Sequence, residues 1–325
     1  MSMCKLWATL DYIAITTIAQ LAIVFGIIFG LAARFWWTRN TVETRQQYSA
    51  MFWENILYIE LAAACSLALF AAFLWKHTER DPWTGSRRLL LFSEQMLMKQ
   101  AERETRDILK STRPNQLDST HPGYVRVAGV VSRLLAANSG VDAIQDHQWT
   151  VVVVNSQSVN AIVEPNGLVL VYSGLMSMAN DDQLTILIGH EFAHCVLRHA
   201  NQINSLRFAI TALCLVPATP LIFALLPLGW NLLTHLCLST AVTLFIVLPC
   251  IRSYETEADR IGMEMAAKTC VDVTQGHLFW SSMATTNKQH KLWWWLSMHP
   301  TYESRSRHLL NLIPAAMEIR RQAGC

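Results

Sequence analysis

The chain has 325 residues, of which 52% are hydrophobic and only 15% are charged, and its mean hydropathy is +0.24. This balance is unusual for a soluble domain of this size and indicates a membrane protein. The net charge of +2 is close to neutral, so the composition offers no sign of nucleic-acid binding.

Two apolar segments near the N-terminus, the first without a charged residue and the second with only Glu60, predict transmembrane helices. Tyr12–Ala33 is 22 residues long and is followed by Arg34 and two tryptophans, which are typical of the membrane interface. Ile56–Trp75 has the same character and predicts a second span. We therefore divide the chain into an N-terminal membrane region, 1–80, and a second domain, 81–325.

The residues after the second span predict a domain that mixes helices and strands. Leu89–Lys110 and Pro122–Ala137 have helical patterns, and the polar stretch between them predicts a loop. Trp149–Asn155 and Ala161–Tyr172 are rich in valine, leucine and isoleucine, which is typical of strands, with a turn at 165–167. The fold class predicted for this domain is α+β, mostly helical with a small sheet.

The motif HEFAH at 190–194 lies in a stretch with helical periodicity. Residues four apart share one face of a helix, so His190 and His194 can bind one zinc ion while Glu191 reaches a water molecule beside it. The bare motif arises by chance in roughly two chains per hundred of this composition, so it needs support from elsewhere. The alternative is a helix whose two histidines face water or a partner.

A third ligand is expected outside this motif, because catalytic zinc sites have three protein ligands and one open position. The pattern of residues 252–268 predicts a helix in which Glu255 and Asp259 lie one turn apart and Glu257 points away. We choose Glu255 as the ligand and Asp259 as the acceptor for the free ring nitrogen of a ligating histidine. The alternative for this pair is a solvated acidic helix face.

The segment 208–251, between the two motifs, contains no Asp, Glu, Lys or Arg. Its 44 residues are long enough for two spans of about 20 residues each. Because His194 and Glu255 must meet at one ion, the segment has to return to the side it leaves, as a spanning hairpin or as a re-entrant pair. The zinc site is therefore expected near the membrane surface, which favours membrane-anchored substrates.

Several sequence blocks, in this order, resemble the glutamate-zincin membrane peptidases, the family that includes the CAAX prenyl proteases and the HtpX proteases. The blocks are RFWW, DPWTGSRRLLL, VNAIVEPNGLVLVYSGL, ILIGHEFAHCVLRHA, ETEADRIGMEMAAKTC and WLSMHPTYESRSRHLLNLIPAAMEIR. Within that family they look most like the mitochondrial inner-membrane peptidases whose activity overlaps that of the m-AAA protease, the Oma type. The similarity runs from about Trp36 to the C-terminus.

The resemblance implies a zincin-like metallopeptidase fold with one zinc ion per chain. His190, His194 and Glu255 would be the metal ligands and Glu191 the catalytic base. The implied location is the mitochondrial inner membrane with the catalytic domain facing the intermembrane space, an orientation that the loop charges do not predict. The implied role is quality control and stress-responsive processing of a dynamin-like GTPase, with the lipid bilayer and membrane-anchored proteins as partners and a homo-oligomer as an open question.

Three further residues are candidates for the site. Edge strands of zinc peptidases bind substrate backbone by β-addition, and Asn160 either orients that peptide or stabilises a turn. His299 and Arg305 resemble the family's HPxxxxR element, in which His299 would stabilise the oxyanion or occupy the fourth zinc position in a resting state. The alternative is a His-Pro helix start with Arg305 paired to a structural carboxylate. His199 is interpreted as a surface or helix-end residue.

Eight cysteines show no CxxC spacing, so they do not compete for the zinc role. Cys270 and Cys325 lie outside the hydrophobic segments, and an oxidising compartment would allow them to form a disulfide that ties down the C-terminal helix. Residues 1–11 contain no arginine and lack the pattern of a mitochondrial presequence. We therefore expect either a processed or shortened chain or an internal targeting signal in the spans.

The predicted activity is hydrolysis of peptide bonds in membrane-anchored proteins, with Glu191 taking a proton from water and passing it to the leaving amine. Two alternatives stay open: a CAAX prenyl or HtpX-like protease of another membrane, and a non-enzymatic membrane scaffold with structural zinc. Structural zinc sites are normally closed by four protein ligands and do not require Glu191.

Overall fold

The computed structural model describes residues 12–145, 148–286, 297 and 299–325. Its described part divides into two compact units. The first unit comprises the described residues up to Ser93 together with Asn201–Val247, and the second comprises Glu94–Ala200 and Leu248–Cys325.

Long apolar helices and a small β-hairpin form the first unit. Its elements are Tyr12–Arg39, Val42–Glu54, Ile56–Lys76, strands β1 (Thr78–Arg80) and β2 (Arg87–Leu89), most of His199–Ile210, the π-helical Thr211–Leu215, Val216–Leu225, Trp230–Val242 and the π-helical Thr243–Val247. Both predicted N-terminal spans are present as helices, and the first continues to Arg39. The Val42–Glu54 helix was not predicted because its residues are mostly polar and show no apolar face.

Four helices in the described residues are long and apolar enough to cross a membrane, judged by length and composition. They are Thr17–Arg39, Ile56–Lys76, His199–Leu225 and Trp230–Ala267. The predicted hydrophobic segment 208–251 falls on the last two, which are separated by residues 226–229. The protein itself buries only 0–17% of the most apolar window of each helix, which suits contact with lipid.

The Tyr12–Arg39 helix packs closely on Val216–Leu225 through two glycines. A Cβ atom on Gly30 would lie 2.5 Å from the Pro220 carbonyl oxygen, and one on Gly26 would lie 3.1 Å from the Pro220 ring. A glycine pair four residues apart is a common way for helices to approach each other in lipid. The close approach within this unit therefore depends on glycine at both positions.

Helices and one small sheet form the second unit. Its elements are Glu94–Thr112, the 3₁₀ turn Arg113–Asn115, Pro122–Ala137, Asp142–Gln145, strands β3 (Thr150–Val154), β4 (Ala161–Val163) and β5 (Leu168–Tyr172), Ser173–Met178, Asp181–Val196, Leu248–Ala267, Thr274–Thr286 and Tyr302–Gln322. The helix predicted at Pro122–Ala137 has these bounds. The helix predicted from Leu89 begins at Glu94, because residues 87–89 pair with β1 instead. The predicted mostly helical α+β class is confirmed.

Strands β3, β5 and β4 lie in that order in the sheet. β3 runs parallel to β5, and β4 runs antiparallel to it. The second predicted strand segment is divided into β4 and β5 by a turn in which Gly167 has a φ of +88°. As an outer strand, β4 packs against the Asp181–Val196 helix and leaves one side without a partner strand among the described residues.

The C-terminal helix, Tyr302–Gln322, packs against Leu248–Ala267, and a disulfide joins the residues that follow the two helices. Cys270 and Cys325 are bonded, with their Cα atoms 5.4 Å apart, which confirms the predicted pair. Arg320 also donates hydrogen bonds to the Cys270 carbonyl at 3.2 and 3.3 Å. Buried apolar side chains from both helices, including Met263 and Leu309, share one core cluster.

Candidate metal centre

The Asp181–Val196 helix, here called the first metal helix, presents both histidines of the HEFAH motif on one side. It begins at a capping box, in which Asn180 accepts from the Gln183 backbone and Gln183 accepts from the Asn180 backbone. The Nε2 atoms of His190 and His194 lie 3.1 Å apart, and His190 is buried. The local helix alone therefore brings these two nitrogens together.

Glu255 joins them from the Leu248–Ala267 helix, here called the second metal helix. Its Oε1 lies 3.3 Å from His194 Nε2, and its Oε2 lies 3.7 Å from His190 Nε2. One ligand atom from each of the three residues lies within 4.8 Å of the others. The three predicted ligands therefore converge on one point.

This set of donors fits zinc. Two imidazole nitrogens and one carboxylate oxygen are typical ligands of catalytic zinc. Ligand atoms at about 2.0–2.1 Å from a tetrahedral ion lie roughly 3.3 Å from each other. The two nitrogens are 3.1 Å apart, and each lies 3.3 or 3.7 Å from one of the two oxygens of Glu255, which is close to that value. These three side chains can thus hold one zinc ion with little adjustment.

Two glycines allow the metal helices to approach this closely, and sequence reasoning missed both. A Cβ atom on Gly262 would lie 2.6 Å from the backbone nitrogen and the Cα of His190. A Cβ atom on Gly189 would lie 2.8 Å from the carbonyl oxygen of Gly262. The helices therefore cross backbone against backbone beside a metal ligand. The feature of the sequence that could have indicated this close crossing is an isolated glycine inside each helical pattern.

Behind His190 lies a buried ion pair between Asp259 and Arg305. His190 Nδ1 is 2.9 Å from Asp259 Oδ1, the position predicted for an acceptor that orients the ring. Arg305 donates to both Asp259 oxygens and lies over the Trp280 ring, 3.9 Å from its centroid. Burial alone would lower the pKa of Arg305, but the charge and hydrogen bonds of Asp259, together with the charges of Glu255 and Glu191, raise it. Arg305 is therefore buried as a cation that holds Asp259 in place.

His299 contacts the third ligand. Its Nδ1 lies 2.7 Å from Glu255 Oε2, and 61% of its side chain is exposed. This hydrogen bond raises the pKa of His299. His299 thus lies at the open side of the candidate metal centre, next to one of its ligands.

His199 was interpreted as a surface or helix-end residue; it is the first residue of the His199–Ile210 helix, but it does not lie on the surface. Its side chain is 1% exposed, with Nδ1 2.9 Å from His194 Nδ1 and Nε2 3.2 Å from Glu257 Oε2. Five residues along one continuous helix turn by about 140° net, which would point His199 away from His194. The first metal helix instead ends before Arg198, whose φ of +55° redirects the chain.

Glu191 is half-buried on the first metal helix. Its negative charge contributes to the raised pKa values of both His299 and Arg305, so Glu191 lies near these two side chains. Asn160 is exposed and immediately precedes β4, where its carbonyl accepts a hydrogen bond from the Tyr172 amide at 3.1 Å. Asn160 therefore lies at the start of the outer strand that packs on the first metal helix.

A sequence profile of peptidase family M48 matches residues 126–313, a range that includes the three candidate ligands and Glu191. The chain belongs to peptidase family M48. The zincin-like fold and the membrane-peptidase resemblance drawn from the motifs are confirmed by this match and by the relatives below.

Relatives within the M48 family extend the similarity over nearly the whole chain. The protein is 34% identical to the mitochondrial metalloendopeptidase OMA1 of Bos taurus over 93% of this chain, and 31% identical to the Homo sapiens protein of that name over the same share. A Saccharomyces cerevisiae relative of the same name is 26% identical over 82% of the chain. The chain spans 58% of the length of the first two relatives and 76% of the third.

Proposed function

We propose that this M48 protein is a membrane-bound zinc metalloendopeptidase that cuts membrane-anchored proteins near the bilayer surface. The observation that carries the proposal is the convergence of His190, His194 and Glu255 at distances that suit one zinc ion. Candidate membrane helices precede the second unit and interrupt it in the sequence, which supports a membrane-anchored substrate. A set of three ligands leaves one position open, as catalysis requires.

The chemistry follows from what each side chain can do. Zinc held by the three ligands would supply a Lewis acid and lower the pKa of water at the site. Glu191 would accept the proton of the attacking water and donate it to the leaving amine. His299, at the open side, would donate a hydrogen bond to the oxyanion. Asp259, held by Arg305, would accept from His190 Nδ1 and so keep His190 in the tautomer whose Nε2 is free to bind metal.

The free side of β4 is the proposed position of the substrate backbone. An extended peptide there would gain main-chain hydrogen bonds and run alongside the first metal helix. Asn160, exposed at the start of β4, would orient this peptide. Such binding depends on backbone more than on side chains, so we expect a tolerant cleavage sequence.

The proposed location is the mitochondrial inner membrane, with the second unit facing the intermembrane space. The support is the similarity to relatives named as mitochondrial and the disulfide between Cys270 and Cys325, which suits an oxidising compartment. We further propose that the protein acts in quality control of membrane proteins and in stress-responsive processing of a dynamin-like GTPase. Protease protection of intact mitochondria and of mitoplasts tests the orientation.

Comparison of Glu191→Gln with wild type tests the activity directly. Glutamine keeps the size of the side chain but cannot take up a proton, so we expect a loss of proteolysis of at least about 100-fold with zinc retained. The measurement pairs zinc content of the purified protein with proteomics of membrane-protein N-termini in cells. New N-termini should appear with wild type and not with Glu191→Gln.

His194→Ala is the companion variant, because it removes a ligand and should lose zinc as well as activity. Wild-type turnover in Glu191→Gln would show that Glu191 is not the base. Zinc binding at wild-type affinity in His194→Ala would show that the metal lies elsewhere.

A further inference from the structure

His199 is a buried polar side chain to which the hydrolysis proposed above assigns no role. Its ring stacks on Tyr254, with centroids 5.0 Å apart and planes inclined by 26°. One ring nitrogen faces His194 at 2.9 Å, and the other faces Glu257 at 3.2 Å. Buried polar atoms are unfavourable unless they are hydrogen-bonded, so both contacts matter for holding this ring.

The atom of His194 that binds metal determines which ring nitrogens of His194 and His199 carry a proton. Nε2 of His194 faces His190 and Glu255, so binding metal there leaves the ring proton on Nδ1. Two ring nitrogens bond only when one of them carries a hydrogen, and His194 Nδ1 therefore donates to His199 Nδ1. The proton of His199 is then on Nε2, where it donates to the Glu257 carboxylate.

An intermediate ring is required because Glu257 cannot reach His194 itself. It lies two residues from Glu255, which is about 200° around the second metal helix, so it faces away from the metal ligands. The turn at Arg198 brings His199 into the gap between that face and the back of His194.

We propose that His199 and Glu257 form a positioning relay for the metal ligand His194. The relay holds the His194 ring in the tautomer with Nε2 unprotonated, and the charge of Glu257 makes that nitrogen a stronger donor to zinc. The second metal helix then supports both histidines, since Asp259 contacts His190 directly and Glu257 acts on His194 through His199. The relay rests on the proposed metal site and not on the identity of the substrate.

The test is the zinc affinity of the full chain in detergent, measured by competition with a chromophoric chelator. His199→Phe keeps a ring to stack on Tyr254 but has no nitrogen, and Glu257→Leu removes the acceptor. We expect either change to weaken zinc binding by about 10–100-fold. Glu264→Gln is the matched control, since Glu264 lies on the same helix with 22% of its side chain exposed, against 21% for Glu257, and pairs with Arg260.

A double variant separates a relay from two independent contributions. If the two residues act as one unit, His199→Phe with Glu257→Leu binds zinc about as weakly as His199→Phe alone. The visible spectrum of the cobalt-substituted protein reports ligand geometry, and it should change in both single variants and not in the control. The unfolding temperature of the metal-free protein monitors the fold.

Unchanged zinc affinity in Glu257→Leu would overturn the relay, and so would additive losses in the double variant. If His199→Phe lowered the unfolding temperature of the metal-free protein while Glu257→Leu bound zinc normally, His199 would be a packing residue only. A wild-type chain without zinc affinity would overturn the relay together with the proposed function. Tight zinc binding without proteolysis would overturn the proposed function alone.

Discussion

At the scale of the residue, each candidate ligand contacts a side chain that controls its orientation. His190 contacts Asp259, His194 contacts His199, and Glu255 contacts His299. A neutral imidazole has one donor and one acceptor nitrogen, so a partner at Nδ1 decides whether Nε2 is free for metal. These contacts predict that the site is preorganised before zinc binds.

Glu164 gives a prediction that is independent of the metal. Burial raises the pKa of this carboxyl to about 7, and repulsion from Glu104 adds to the shift. The folded state then binds more protons than the unfolded state between the ordinary value of 4.5 and about 7. Stability from this group is present below that window and is lost as pH rises through it.

Glu164→Gln should therefore melt progressively higher than wild type as pH is raised, with the difference levelling off above about pH 7. Differential scanning fluorimetry in detergent across this range measures it. Glu104→Gln, which removes the repelling charge, should give a smaller difference of the same sign. A difference between Glu164→Gln and wild type that is independent of pH would contradict the assignment.

At the scale of the element, the crossing of the two metal helices decides whether the site exists. Their backbones meet at Gly189 and Gly262, next to His190. Backbone atoms cannot rotate away as a side chain can, so any Cβ at Gly262 must push the helices apart. Separation of the helices would move Glu255 away from both histidines.

Gly262→Ala should accordingly weaken zinc binding by at least about tenfold and lower the free energy of unfolding by about 1–3 kcal/mol. Zinc competition and chemical denaturation measure the two effects. Gly129→Ala is the matched control, because it is also a helical glycine but a Cβ there meets only a flexible Arg133 atom at 3.7 Å. The Gly129→Ala control should stabilise its helix by up to about 1 kcal/mol. Normal zinc affinity in Gly262→Ala would show that the helix crossing is not what brings the ligands together.

At the scale of the whole molecule, the second unit is assembled from two stretches of sequence. Residues 94–200 carry the histidines, and residues 248–325 carry Glu255, Asp259 and Arg305. The second stretch is closed on itself by the Cys270–Cys325 disulfide, which spans 55 residues. The helix that carries Arg305 is thus covalently tied beyond its far end.

Cys325→Ser should lower the free energy of unfolding of this unit by about 2–4 kcal/mol, because the open chain gains conformational entropy when it unfolds. Thermal melting with and without reductant measures the loss. Reductant should bring wild type to the level of Cys325→Ser and leave the variant unchanged, while Cys65→Ser, at a free and exposed cysteine, should melt like wild type. Identical melting of oxidised and reduced wild type would show that the disulfide adds no stability.

The sequence alone predicted the candidate ligands His190, His194 and Glu255, the carboxylate of Asp259 beside His190, both N-terminal apolar helices and the α+β class. These depend on local periodicity, in which residues four apart share a helix face and long apolar runs form helices. Only the tertiary structure decided the role of His199, the glycine crossing and the pairing of Arg305 with Asp259. His199 is redirected by a single residue with positive φ, and the other two depend on contacts between segments more than 40 residues apart, which no local pattern encodes.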